Sequence, residues 1–232
     1  MKFVKDTVKA LFINRPDRFR AYVELEGEVH LVHVPNTGRN REILVPGTTV
    51  VLRKEDGATR KTRFSLIAGY KGDMLINIDS QIPNHVVEEA LLMGKIPELL
   101  GYSRISREKT YGNSRFDFLL EQGEEKFFLE VKGVTLEEGG IASFPDAPTE
   151  RGTKHVHELI AAKKEGHGAG ILFLIQIEKV THFTPAKLLD PVFEQAVKAA
   201  RDNGVMILAY NCLVTENSLD LLGPVPVVLH ED

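Results

Sequence analysis

The sequence predicts a two-domain α+β protein, with a small β-barrel over residues 1–80 and an α/β domain with a mixed sheet over residues 81–232. Short alternating strands separated by turn signals fill the first part. After residue 80, helical patterns alternate with strands, and the apolar runs GAGILFLIQI and VMILAYNCLVT indicate strands buried on both faces. The change of texture near residue 80 is the predicted domain boundary.

The strands of the first part follow one another closely. FRAYVELEGEVHLVHV alternates as a hairpin around Gly27, and ILVPGTTVVLRK and TRFSLIAGYKGDMLINID add further strands. Short strands packed this densely are typical of a small closed barrel, and we expect an OB-like one. Such barrels bind nucleic acids or sugars, so an oligosaccharide-binding barrel that senses sugar stays an alternative.

Three helices are expected in the second part. Asn84 is predicted to cap a helix over HVVEEALLM that ends near Gly94. A second helix runs through KHVHELIAAKKEG, and a third through DPVFEQAVKAARDNG, with Asp190 as its cap and Gly204 after its end. The resulting order is helix, strand, strand, helix, strand, helix, strand, which predicts a mixed sheet.

Composition describes an ordinary globular protein, with 43% hydrophobic and 27% charged residues among 232. The sequence has no apolar run of the roughly 18 residues that a membrane helix needs, and no signal-peptide pattern. Cys212 is the only cysteine, which excludes an intrachain disulfide and a cysteine-rich zinc site. We therefore expect a cytoplasmic protein without a membrane partner.

Charge is distributed unevenly between the two parts. The net charge is −4, but residues 1–80 carry 14 Lys and Arg against 10 Asp and Glu, whereas residues 81–232 carry 15 against 23. This asymmetry indicates a polyanion-binding module followed by a module whose acids hold metal. Ordinary variation in solvated surface charge is the alternative.

The stretch SRFDFLLEQGEEKFFLEVKGV predicts a hairpin that gathers three charged side chains. In KFFLEVKGV, successive residues face opposite sides, so Glu130 and Lys132 share a side. If Gly123 and Glu124 form a two-residue loop, Asp117 lies opposite Glu130. Two carboxylates and one lysine then converge on one patch.

Such a patch suits metal-assisted cleavage of a phosphodiester. Carboxylate oxygens hold Mg²⁺ or Mn²⁺, the metal polarises the phosphate and acidifies a water, and a lysine stabilises the developing charge. Asp117, Glu130 and Lys132 are therefore the predicted catalytic residues, with the two carboxylates as metal ligands. A cross-strand ion pair at the surface is the simpler alternative.

A helix, an Asp-bearing strand, an E-x-K strand and a second helix resemble the core of the PD-(D/E)XK nuclease superfamily. Phe116 stands where the superfamily has its proline, and Pro145-Asp146 follows the E-x-K strand and so cannot replace it. The resemblance implies a further metal-binding glutamate on the first helix. Glu88 and Glu89 are both candidates.

Glu89 is the preferred member of that pair. In a helix it falls on one stripe with Val86 and Met93, which we expect to face inward. Glu89 is therefore the predicted third metal ligand, either directly or through a water.

The segments RPDRFRAYVE, HVPNTGR, SRFDFLL with EVKGVTL, and FPDAPTERGTKHVHEL occur in this order. Together they resemble the sugar fermentation stimulation protein A family over essentially the whole chain. The resemblance implies an N-terminal OB-like domain, a C-terminal nuclease-like domain, non-specific DNA binding and a regulatory link to sugar (maltose) metabolism.

Basic residues of the first part are candidates for nucleic-acid binding. Arginine forks match phosphate oxygens and give salt-sensitive affinity without sequence choice. Phe19 and Tyr22 beside them are able to stack on unpaired bases, although we expect Phe19 to belong to the barrel core. Pairing with Glu24, Glu26 or Glu42, or simple solvation, is the alternative role for these arginines, which are Arg15, Arg18, Arg20, Arg39 and Arg41.

The segment TERGTKH precedes or opens the second helix, where free amides favour anions. Arg151 and Lys154 would reinforce a phosphate site there. His155 is predicted to contact DNA or transfer a proton, against the alternative of an ordinary helix residue.

These observations predict a DNA-binding protein of little sequence selectivity, taking single- or double-stranded DNA, with a divalent-metal site of Mg²⁺ or Mn²⁺. An active metal-dependent DNA endonuclease is the main alternative. A homo-oligomer is compatible with the sequence.

Overall fold

The fold is given by a computed structural model that describes residues 1–57 and 60–230. Its first part is a barrel of short strands that pair antiparallel except where β3 meets β5 in parallel. The order of the sheet is β3-β2-β1-β4-β5-β6, and β3 also pairs with β5, so that β1 to β5 close into a five-stranded barrel. The strands are β1 Thr7–Asn14, β2 Arg20–Leu25, β3 Glu28–His33, β4 Thr49–Lys54, β5 Phe64–Lys71 and β6 Met74–Asn77.

The alternation seen in the sequence produces this barrel. In β2, Ala21 and Val23 are fully buried while Tyr22 and Glu24 between them are exposed. Val32 of β3 and Leu52 of β4 also point inward and are fully buried. Inward apolar residues at every second position are what a closed barrel requires, and the predicted OB-like barrel is confirmed.

The second part is built on a six-stranded mixed sheet of order β15-β14-β12-β9-β8-β7. Strands β9, β12 and β14 run parallel, and β7, β8 and β15 are antiparallel to their neighbours. A separate small sheet has the order β10-β11-β13. The elements are α1 Ile82–Leu92, β7 Arg104–Tyr111, β8 Ser114–Gln122, β9 Glu125–Val134, β10 Leu136–Glu138, β11 Ile141–Phe144, α2 Glu150–Lys164, β12 Gly168–Ile175, β13 His182–Pro185, α3 Pro191–Asp202, β14 Met206–Val214 and β15 Leu219–Pro224.

Helices cover both faces of this sheet. Phe173 of β12 packs with Phe193 of α3 on one face, whereas Leu172 joins the cluster of α1 residues on the other. The central strand is therefore buried on both faces, as its continuous apolar sequence predicted. The mixed sheet is confirmed, and six strands were not foreseen in the sequence: β1 in the barrel, and β7, β10, β11, β13 and β15 in the second part.

A buried polar network joins the barrel to the α/β part. Gln176, which follows β12, donates to the main-chain oxygen of Asn77 at 2.9 Å and to its side-chain oxygen at 2.8 Å. Arg53 of the barrel contacts Asp79 at 2.8 Å, just before α1. Buried polar groups are costly unless paired, so these bonds fix how β6 leads into α1.

The first residues of the chain pack on the second part. The main-chain nitrogen of Phe3 donates to the carbonyl of Asn217 at 2.8 Å, and Lys2 pairs with Ser218. These contacts join the first residues to the segment just before β15, outside residues 1–80, and the domain boundary near residue 80 stays a prediction. Among the helices of the described residues, none is long and apolar enough to cross a membrane.

Candidate metal centre and nucleic-acid cleft

The hairpin of β8 and β9 has the register that the sequence predicted. Gln122 pairs with Glu125, which leaves Gly123 and Glu124 as a two-residue loop, and Gly123 has a φ of 59° that favours glycine. The same register continues from Phe118 and Leu129 towards Asp117 and Glu130. Asp117 accepts a hydrogen bond from the main-chain nitrogen of Val131 at 2.8 Å. The hairpin therefore brings the two carboxylates together.

Glu130 lies at the centre of a buried cluster. Its Oε1 accepts a hydrogen bond from Lys132 Nζ at 2.5 Å and faces His155 Nδ1 at 2.5 Å. Its Oε2 is buried and has no hydrogen-bond partner among the described residues. Glu130 and Lys132 share a side of β9, as predicted, and α2 supplies the histidine.

The pKa values of the two carboxyl groups shift in opposite directions. Burial alone favours the neutral form of Glu130, but the hydrogen bonds and charges of His155 and Lys132 outweigh it and hold the pKa of Glu130 below its ordinary value. Burial, followed by the nearby charge of Glu130, raises the pKa of Asp117. A cation between the two groups favours the ionised form of both.

The helix residue that reaches this cluster is Asn84. Its Nδ2 donates to Asp117 Oδ1 at 2.7 Å. The prediction that Asn84 caps α1 is wrong, because the helix already begins at Ile82. Gln81 occupies the capping position, and its main-chain nitrogen donates to Asp79 Oδ1 at 3.0 Å. Asn84 thus lies in the first turn, with its side chain free to hold Asp117.

The two glutamates of α1 have other partners. Glu88 contacts Arg107 Nη1 at 3.1 Å, and Glu89 Oε1 lies 3.5 Å from the amino nitrogen of Met1. The expected inward stripe is also wrong for Met93, which is 60% exposed, although Val86 is buried. Asn84, one turn before Glu88, is the α1 residue that contacts a hairpin carboxylate, and the predicted ligand Glu89 lies on a different side of the helix.

The two hairpin carboxylates fit a hydrated divalent cation. Within the described residues, no group of three or more His, Cys, Asp and Glu is arranged to hold a metal. Mg²⁺ usually keeps several waters and is bound through only one or two carboxylates. Asp117 and Glu130 meet that requirement, because the unpaired Oε2 of Glu130 is a buried acceptor without a donor.

A cleft of about 960 Å³ lies between the barrel and the α/β part. Gly133, the residue after Lys132, forms part of its wall, so the cleft reaches β9 one residue beyond Lys132. A Cβ at Gly133 would lie 2.5 Å from Gln176 Oε1, which also lines the cleft. The barrel contributes three exposed arginines to the rim: Arg18, Arg39 and Arg41.

Arg15 does not offer its guanidinium to a ligand. Its two terminal nitrogens donate to the carbonyls of Arg18 at 2.5 Å, Asn36 at 2.6 Å and Gly38 at 2.7 Å. Burial lowers the pKa of Arg15, with nearby acids opposing the shift. The predicted phosphate-binding role is therefore wrong for Arg15, because its donors are used to shape the turn PNTGR.

The remaining basic and aromatic candidates divide by exposure. Arg20 pairs with Asp17 at 2.6 Å, rather than with any of the glutamates considered above. Phe19 is 53% exposed, so the expectation that it belongs to the core is wrong. The reason is that Phe19 lies in the bend before β2, which begins at Arg20, so the inward alternation of the strand does not reach it. Tyr22 is also exposed, at 39%.

The start of α2 matches the prediction, but its side chains are used differently. Thr149 caps the helix by accepting from the main-chain nitrogen of Gly152 at 3.0 Å. Arg151 is exposed, whereas Lys154 Nζ donates to the carbonyl of Asn113 at 3.0 Å. His155 is buried against Glu130 and not on the surface, so direct DNA contact by His155 does not fit, because α2 turns that side chain towards the sheet.

Sequence reasoning missed two residues of this region. Asn84 was taken only as a cap, and Gln176 was not singled out. Gln176 had a signal, since it is the polar residue that follows the apolar run ILFLI. No sequence signal indicated the contact between Asn84 and Asp117, because this contact depends on how α1 packs against the hairpin.

Comparisons with known proteins agree along the whole chain. The family model described as the sugar fermentation stimulation protein RE domain matches residues 81–218, and the SfsA N-terminal OB domain matches residues 13–78. A sugar fermentation stimulation protein homolog of Clostridium botulinum is 59% identical over 98% of this chain and 99% of its own length. A homolog of Clostridium perfringens is 60% identical over 99% of this chain and 100% of its own length. The solved structure of Pyrococcus furiosus SfsA in complex with Ca²⁺ has a TM-score of 0.89 and 30% identity, covering 98% of this chain and 99% of that one.

Proposed function

Because the chain belongs to the sugar fermentation stimulation protein family, SfsA, we propose that it binds DNA with little sequence selectivity in the cleft beside the barrel. The observation that carries the proposal is the set of three exposed arginines, Arg18, Arg39 and Arg41, in a cleft whose wall includes Gly133, the residue after Lys132. Contacts to phosphates position DNA without reading its bases. The family name connects its members with sugar fermentation, so regulation of sugar (maltose) metabolism through DNA is part of the proposal.

The salt dependence of binding tests this function. Affinity for a labelled oligonucleotide, measured by fluorescence anisotropy at several salt concentrations, is expected to fall steeply as salt rises. Each single replacement by alanine, at Arg18, Arg39 or Arg41, should reduce the slope of log K against log salt by about 0.7 to 0.9. The exposed Arg63 lies outside the cleft, and Arg63→Ala should leave the slope unchanged.

The competing function predicts a different result. An oligosaccharide-binding barrel would bind maltose oligomers with an affinity that hardly changes with salt. Salt-insensitive sugar binding together with an absence of DNA binding contradicts the proposal.

We further propose that Asp117 and Glu130 hold a divalent cation, Mg²⁺ or Mn²⁺. The Ca²⁺ bound by the Pyrococcus furiosus relative supports this, as does the unpaired buried oxygen of Glu130. A cation held there would polarise a phosphate and acidify a water. The chain's own residues prepare the site: Asn84 orients Asp117, while Lys132 and His155 hold Glu130.

Cleavage of a phosphodiester bond is the second candidate activity. The specific observation in its favour is Lys132 Nζ beside the two carboxylates, where it would stabilise charge on the transferring oxygen. The test incubates the protein with Mg²⁺ or Mn²⁺ and single-stranded, duplex or branched DNA, alongside Glu130→Ala and Lys132→Ala. Cleavage lost in both variants supports the assignment. Cleavage that persists equally in both variants contradicts the assignment. If the wild type binds DNA but does not cleave it, DNA binding is the only function that the test supports.

A further inference from the structure

Two exposed aromatic side chains lie on the barrel beside the basic cleft. Phe19 directly follows Arg18, which lines the cleft. Tyr22 pairs across the strands with Asn14, another residue of the cleft wall. Both rings are accessible, at 53% and 39%. Each ring therefore lies next to a residue of the cleft wall, Phe19 along the chain and Tyr22 across the strands.

The backbone under Phe19 is fixed before any ligand arrives. Its main-chain nitrogen donates to Asp17 Oδ1 at 2.9 Å, and its carbonyl accepts from the main-chain nitrogen of Val34 at 2.8 Å. The other oxygen of Asp17 holds Arg20 Nε at 2.6 Å. A ring on a fixed backbone costs little conformational entropy when a ligand binds, which favours a recognition role.

The size of the cleft favours binding of single-stranded DNA over duplex DNA. Its volume of about 960 Å³ is at the upper end of pockets that hold a small organic molecule. Such a space admits a few nucleotides of one strand, whereas a duplex would lie across the mouth with its bases paired and hidden from the rings. Only unpaired bases expose the faces that stack on aromatic side chains.

We propose that the cleft takes unpaired DNA, whose bases stack on Phe19 and Tyr22 while the rim arginines hold the phosphates. This inference rests on the proposed function and names its substrate class. The aromatic surface is short, because Glu24 follows Tyr22 on the outer face of β2, Glu26 follows in the turn and Glu28 begins β3. Their negative charges repel phosphates, so the two rings hold about two bases.

The test compares three ligands of equal length: a single strand, its duplex, and a strand of the same backbone without bases. The variants are Phe19→Leu, which keeps an apolar side chain but removes the ring, and Phe19→Tyr, which keeps the ring. Val29→Ala is the matched control, since Val29 is 64% exposed at the acidic end of the same hairpin.

We expect Phe19→Leu to weaken single-strand binding roughly five- to hundredfold, the loss typical of one stacked base. Phe19→Tyr and Val29→Ala should bind like the wild type, and duplex and base-free strands should be insensitive to all three variants. Urea unfolding of Phe19→Leu should match the wild type, because the replaced ring is exposed.

Two outcomes overturn the inference while leaving DNA binding in place. One is equal wild-type affinity for the single strand, the duplex and the base-free strand. The other is a loss in Phe19→Leu that is as large for duplex as for single strand. A wild type that binds none of the three DNAs at low salt overturns the proposed function itself.

Discussion

Arg15 holds together the turn that forms one wall of the cleft. Its guanidinium donates to four carbonyls on two stretches of main chain, at Arg18 and at residues 36, 38 and 39. Lysine has the same charge but cannot donate in this forked geometry. We expect Arg15→Lys to lower the free energy of unfolding by about 1 to 3 kcal/mol, because carbonyls lose their donors.

Urea unfolding followed by circular dichroism measures that loss. Arg18→Lys is the control, since Arg18 is exposed and should change stability little. Equal stability of Arg15→Lys and the wild type would contradict the assignment of Arg15 to the turn.

Asn84 is a positioning residue for the proposed cation site. It donates to Asp117 Oδ1, and a partner that orients a ligand typically contributes 10- to 100-fold to metal affinity. We expect Asn84→Ala to weaken Mn²⁺ binding within that range, as measured by isothermal titration calorimetry. Gln81→Ala, on the exposed side just before α1, should bind Mn²⁺ normally. An unchanged affinity in Asn84→Ala would separate Asn84 from the site.

The difference between Asn84 and Glu89 shows what a residue pattern leaves open. The resemblance to the nuclease superfamily implied a carboxylate on α1, and the sequence has two candidates there. Which side of the helix faces the sheet depends on packing, which the sequence pattern did not determine. Val86, Val87 and Ala90 form the buried stripe, and this rotates Glu89 towards the first residue of the chain. The pairing of His155 with Glu130 was equally out of reach, because it spans the connection between a strand and the next helix.

The helix ends of α2 and α3 are tied together by one side chain. Asp190 Oδ1 accepts from the main-chain nitrogen of Phe193 at 2.9 Å and so caps α3. Its Oδ2 accepts from the main-chain nitrogen of Thr149, the cap of α2, at 2.8 Å. We expect Asp190→Ala to destabilise the protein by about 2 kcal/mol, more than the roughly 1 kcal/mol for loss of a single cap.

Thermal or urea unfolding of Asp190→Ala and Thr149→Ala makes this comparison directly. Asp202→Ala is a suitable control at the other end of α3, where the carboxylate pairs only at the surface with Arg201. If Asp190→Ala costs no more than Thr149→Ala, the bridge between the two helices contributes nothing.

Elements differed in how well the sequence predicted them. The register of the β8 and β9 hairpin agrees with the sequence, because a two-residue loop at Gly123 and Glu124 fixes which residues pair, although both strands are longer than the runs RFDFLL and KFFLEVKGV. The edge strand β7 was missed, since its residues are mostly exposed or half-buried and give no alternation. Strands β10, β11 and β13 have three or four residues each, which is too short for a periodic signal.

Across the whole molecule, Glu55 links the barrel to the junction with α1. It contacts Lys5 at 2.8 Å and Arg53 at 3.0 Å, and Arg53 in turn holds Asp79. Burial alone raises the pKa of Glu55, but hydrogen bonds from Lys5, Ser65 and Arg53 outweigh it and lower the pKa to about 2. The ionised Glu55 therefore stabilises the folded state fully at pH values above its ordinary pKa of about 4.5. This stabilisation is lost as the pH falls towards about 2.

We expect Glu55→Gln to reduce the free energy of unfolding by on the order of 2 kcal/mol at pH 7. The difference from the wild type should shrink as pH falls from 5 to 3, because below the ordinary pKa of 4.5 the unfolded wild type binds a proton at Glu55 that the folded state does not, which favours unfolding. Urea unfolding at several pH values measures both effects, with the exposed Glu24→Gln as control. A difference that is constant with pH would contradict this account.

The contact of the chain's first residues with β15 forms later during synthesis than the barrel does. The amino nitrogen of Met1 donates to the carbonyl of Leu219, 218 positions later. A ribosome releases the barrel strands long before Leu219, and early domains fold as units while the rest of the chain is still being made. The barrel is thus able to close while Phe3 is still uncovered. Met1 and Leu219 meet only after translation has passed β15, so this contact forms late.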